Sequence, residues 1–109
     1  MRNELTEILV VGKHEDILQT ILRLLNTETS WHAEGVSGYE EAIAKCKSRA
    51  YQVLLLGGGL TDQEEARLKT EIRLIHPAIH IIPHYGGGSG LLYAEIYMAL
   101  GTDDKKNRL

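Results

Sequence analysis

Three consecutive glycines, Gly57, Gly58 and Gly59, end an unbroken apolar run from Val53 to Leu56. Glycine amides that follow a buried strand and precede a helix can cradle an anion, because no side chain keeps a phosphate oxygen from the backbone N–H groups. Lys13, next to Gly12 at the end of a second apolar run (Ile8 to Val11), adds a positive charge in an equivalent position. Lys13, Gly57, Gly58 and Gly59 are therefore the candidate anion-binding residues. Neither GxGxxG nor GxxxxGK[ST] is present, which leaves the signal weak. The plainer reading is a tight strand-to-helix turn beside a solvated lysine.

Other residues invite chemistry with less support. His76, His80 and His84 are spaced four apart, as metal ligands on one helix would be, but Pro77 and Pro83 interrupt any such helix. Two histidines sharing a strand face, with no cysteine or carboxylate beside them, make a poor zinc site. No metal or other cofactor is expected. Tyr85, Tyr93 and Tyr97 cluster near the carboxyl end. Partly exposed, they would anchor a protein partner; inward-facing, they would cover the sheet. Cys46 is the single cysteine, which excludes a disulfide framework, and Cys46 and Trp31 read as core residues. No base, nucleophile and metal set stands at the strand ends apart from Lys13 and His84, so no catalytic residue is assigned and an enzyme is not expected.

The elements that must position these residues alternate. Ile8–Val11, Trp31–Val36, Tyr51–Leu56 and Ile79–Ile82 read as short strands, with Gly35 an awkward residue in the second. Between them lie helical patterns. Glu15 to Leu25 places Ile17, Ile21, Leu24 and Leu25 on one stripe, widened by Leu18 and Leu22. Ser37 with Glu40, and Thr61 with Glu64, have the spacing of capping boxes that open the second and third helices. The second helix turns Ala42, Ile43 and Cys46 inward and ends near Arg49. The third buries Leu68, Ile72 and Ile75 and stops at Pro77. After a loop, His84 to Gly90, a last helix runs from Leu91 to Leu100 and stops at Gly101. Such alternation means right-handed βαβ units and a parallel sheet covered on both faces, an α/β fold.

The 109 residues make one domain, expected over 1–101 with a polar tail at 102–109. A net charge of −3 with scattered basic residues argues against nucleic acid. No apolar run approaches the length of a membrane span, and the amino terminus lacks a signal-peptide core, so a cytoplasmic location is expected.

ILVVGKHEDI (Ile8 to Ile17), GYEEAIAKCKSRAYQVLLLGGGLTD (Gly38 to Asp62) and IRLIHPAIHII (Ile72 to Ile82) resemble the receiver domains of bacterial two-component response regulators. The resemblance implies a flavodoxin-like three-layer α/β/α sandwich with strand order 2-1-3-4-5. It also implies where phosphorylation chemistry should sit: an acid pair after the first strand for Mg²⁺, an acceptor Asp after the third, a Thr or Ser after the fourth and a Lys after the fifth. Here Gly12 and Lys13 stand at the acid pair, Gly57 at the acceptor, and His84 and Tyr85 near the hydroxyl position; no Lys-Pro pair follows. Gly12, Lys13, Gly57 and Tyr85 are thus degenerate phosphorylation-site positions. Mg²⁺ takes oxygen ligands that neither Gly12 nor Lys13 offers, and a glycine holds no phosphoryl group. Only seven residues separate Pro83 from the last helix where the family fits a helix and a strand, so the sheet is expected to hold four strands, with a fifth left open. The reading that follows is a receiver-like domain of phosphorelay signalling that meets a protein partner without phosphorylation. The alternative is non-catalytic binding of a small anion or nucleotide at the glycine-lined sheet edge.

Overall fold

The computed structural model describes residues 5–83 and 93–100. Strands β1 (Thr6–Val11), β2 (Trp31–Val36), β3 (Val53–Leu56) and β4 (His80–Pro83) form one sheet in the order β2-β1-β3-β4. All three pairings are parallel, with Ile8 opposite both Ala33 and Val53, and Leu56 opposite Pro83. Helices α1 (Glu15–Leu25), α2 (Tyr39–Ser48) and α3 (Asp62–Ile75) connect them, and α4 (residues 93–100) follows.

The apolar runs dictate this arrangement. Ile8–Val11 and Val53–Leu56 are completely buried, because β1 and β3 are central and covered on both faces. Their side chains divide by parity. Ile8, Val10, Val53 and Leu55 pack with Leu18, Ile21 and Leu25 of α1 and Ile96 of α4. Leu9, Val11, Leu54 and Leu56 pack with Ala42, Ile43 and Cys46 of α2 and Leu68 and Ile72 of α3. The result is the expected three-layer sandwich.

Gly35 has a packing reason. A Cβ there would lie 2.8 Å from a Leu22 methyl and 2.9 Å from one of Leu18, so the glycine lets α1 approach the edge strand.

Several local expectations need correction. The second helix does not open on a Ser37–Glu40 capping box. Gly38 is its N-cap, and the Ser37 amide and hydroxyl both donate to Glu41, at 3.0 and 2.9 Å. The helix therefore begins one residue later, and the acid three positions beyond Gly38 is Glu41. Ile17 is 57% exposed, because the sheet-facing line of α1 runs through Leu18, Ile21 and Leu25 and leaves Ile17 on its flank. Ile75 is only half-buried at the end of α3, and regular pairing in the third strand starts at Val53, although Tyr51 before it is buried. The Thr61–Glu64 capping box is present as expected. A fifth strand, the His84–Gly90 loop with Tyr85, and the tail at 102–109 lie outside the described residues.

Candidate functional site

The carboxyl ends of β1 and β3 lie side by side, as their register requires, and bring Gly12, Lys13 and Gly57–Gly59 together. Two strand-to-helix loops meet there. The Gly12 amide donates to the Val36 carbonyl at 3.1 Å, and the Gly57 amide to the Val11 carbonyl at 2.6 Å. The Lys13 amide donates to the Gly58 carbonyl at 3.3 Å. A Cβ added at Gly57 would stand 2.9 Å from the Val11 carbonyl oxygen and 3.4 Å from the Gly12 Cα. The space that a side chain at position 57 would need is filled by the backbone of β1.

Gly59 has a left-handed backbone, φ +98°, and a Cβ there would lie 2.8 Å from the Lys13 Cβ. The lysine side chain passes over this glycine, and its ammonium reaches the Glu64 carboxylate at 3.1 and 3.3 Å. The same carboxylate accepts the Thr61 amide at 2.9 Å, while the Thr61 hydroxyl accepts the Glu64 amide at 3.1 Å. The Thr61 amide, and after it the Lys13 ammonium, hold the Glu64 carboxyl below its ordinary range. So Lys13 is paired with a carboxylate, and the Gly57 amide is spent on β1. The Gly57 amide is therefore not available to an anion, and the charge of Lys13 is offset by Glu64. Glu15 and Asp16, the nearest acids on α1, are exposed, and Glu15 accepts from Gln19 at 2.8 Å.

Tyr93 and Tyr97 turn toward the chain itself. Their rings lie 5.8 and 5.0 Å from the buried Trp31. The Tyr93 hydroxyl donates to the Leu24 carbonyl at 2.5 Å, and the Tyr97 hydroxyl to Glu28 at 2.7 Å. These contacts fix α4 over the end of α1 and the start of β2, although Tyr97 keeps about half its surface exposed. Tyr93 is partly buried against the core cluster on the α1 face of the sheet.

The histidines do not converge. His76 is the C-cap of α3, and its Nε2 donates to the Cys46 carbonyl at 2.7 Å and lies 3.2 Å from that of Arg49, at the carboxyl end of α2. His80 lies on β4. Among the described residues no group of three His, Cys, Asp or Glu side chains is placed to hold a metal. Cys46 is buried, and burial pushes its thiol up to about 11.

One polar cluster is absent from the sequence reading. At the opposite end of the sheet Glu7, His32, Glu34, Arg49 and Tyr51 meet. His32 lies 2.8 Å from Glu7, Arg49 bridges Glu7 and Glu34 at 3.2 and 2.7 Å, and the Tyr51 hydroxyl donates to Glu34 at 2.6 Å. Burial first, then the bond to Glu34, pushes the Tyr51 phenol upward; the Glu34 carboxyl is lowered by Tyr51, then by Arg49 and Lys45. Only the alternation of β1 and β2 hints at this cluster, since Glu7, His32 and Glu34 share a sheet face.

No protein-family model matches the sequence, and no curated protein matches it. Solved structures do. A CheY-like response-regulator receiver domain protein from Methanospirillum hungatei superposes with a TM-score of 0.68 at 23% identity, covering 88% of this chain and 76% of that one. A two-component response regulator from Clostridium difficile gives 0.69 at 20% identity, covering 87% and 95%. A putative pilus assembly protein from Burkholderia thailandensis gives 0.63 at 18%, covering 87% and 80%. The chain has the flavodoxin-like fold of CheY-like receiver domains, with the strand order 2-1-3-4 that the resemblance implied.

Proposed function

We propose that this chain is a receiver-like signalling domain that works through contacts with a protein partner and takes no phosphoryl group. The observation that carries the proposal is the closure at Gly57. The position that matches the receiver acceptor has no side chain, and a Cβ there would stand 2.9 Å from a backbone oxygen. The positions that match the metal-binding acids are a glycine and a lysine already paired with Glu64. Without carboxylate ligands or nucleophile, an aspartyl-phosphate has neither its metal nor its site. The fold supports the receiver-like part of this reading, and signalling itself is inferred from the fold.

Incubation of the full chain with acetyl phosphate and Mg²⁺ tests it. The expected intact mass is unchanged, and a stable phosphoryl adduct would overturn the proposal. Anion or nucleotide binding at the same edge has less support, because Lys13 and the Gly57 amide are engaged within the chain. A rise in melting temperature with inorganic phosphate or a nucleotide, abolished by Lys13→Met, would favour that reading instead.

A further inference from the structure

The contacts of Lys13 go beyond the loss of a metal site. Its amide holds the Gly58 carbonyl, its Cβ rides over Gly59, and its ammonium reaches both oxygens of Glu64. Glu64 in turn forms half of the capping box that starts α3. One residue of the β1–α1 loop therefore touches the glycine turn, through both its amide and its side chain, and the first turn of α3. In a site that bound a metal ion, a dissociable cation would join these loops. Here the joining cation is covalently part of the chain.

We infer that Lys13 and Glu64 form a built-in clasp that holds the β1–α1 loop and the first turn of α3 in a single arrangement, without ligand or modification. The inference rests on the receiver-like reading for its meaning, since it makes that edge a fixed surface in place of a switched one. The ion pair is partly exposed, with side-chain exposures of 41% and 25%, so its strength is modest. Exposed pairs of this kind correspond to roughly two- to fivefold in a local opening equilibrium. The Gly59 turn adds specificity, because any side chain there would displace the lysine.

Amide hydrogen exchange on the full chain tests the clasp, with Lys13→Met, Glu64→Gln and the double variant. Methionine keeps the alkyl path over Gly59, and glutamine keeps a cap acceptor for the Thr61 amide. Lys13→Met is expected to speed exchange about two- to fivefold at Gly58–Glu64, and Glu64→Gln to do so at Lys13–Glu15. The double variant should add little to either single one, because both break the same link. Unchanged exchange across the gap, or effects that simply multiply in the double variant, would overturn the clasp. Phosphoryl uptake by the unmodified chain is a separate readout: it would sink the proposed function while leaving the exchange result to stand or fall by itself.

Discussion

At position 57 the consequence of one missing carbon is steric as well as chemical. The obstacle to a Cβ is the Val11 carbonyl oxygen, which belongs to a fully buried central strand and cannot swing aside. At Gly35 the obstacles are side-chain atoms of Leu22 and Leu18, which can shift more readily than a strand backbone. Gly57→Ala is therefore expected to cost about 1–3 kcal/mol and Gly35→Ala distinctly less, as read by urea denaturation of the two variants. Equal losses would mean that β1 yields as easily as a leucine rotamer. Cys46 gives a second expectation. A buried thiol raised to about 11 should resist an aromatic disulfide reagent at neutral pH in the native chain and react at once when unfolded. That position 57 carries no side chain was legible in the sequence, since a glycine is a glycine in any fold. That Lys13 meets Glu64 was not, because residues 51 apart in the chain come together only through the β1–β3 register.

Among the elements, the central strands and the Thr61–Glu64 start of α3 were the most legible. Continuous apolar runs and a reciprocal cap are local signals. Thr61→Ala should cost about 1 kcal/mol through the lost cap, measured as a fall in the denaturation midpoint at unchanged slope. The start of α2 was misread by one residue because Glu40 and Glu41 both offer a carboxylate, and only the position of Gly38 decides between them. The polar cluster between β1, β2 and the end of α2 predicts a pH dependence with opposite signs at its two ends. Tyr51 is raised in the folded chain, so its contribution is fully present below its ordinary value near 10 and is lost as pH rises through the elevated one. Glu34 is lowered, so its contribution is present above the ordinary value near 4.5 and is lost as pH falls through the depressed one. Melting temperature should decline on the alkaline side above pH of about 10, and Tyr51→Phe should flatten that decline. An unchanged alkaline slope in Tyr51→Phe would remove the hydroxyl–carboxylate pair from the explanation.

Over the whole molecule, the alternation of strands and helices gave the class of fold, and strand order followed from the receiver resemblance. The fold also places α4 on the α1 face, with Ile96 fully buried against the sheet and Tyr93 and Tyr97 against Trp31. No periodicity could assign that face, because it depends on which side the chain returns to after β4. The molecule is a receiver fold in which the Val11 backbone stands against position 57 and Lys13 is tied to Glu64. The most direct measurement follows the amide NMR signals of Gly12, Gly57, Gly58 and Gly59 while acetyl phosphate and Mg²⁺ are added to the intact chain. The account predicts that these four signals stay in place. Displacement of the four together, saturating with either component, would contradict it.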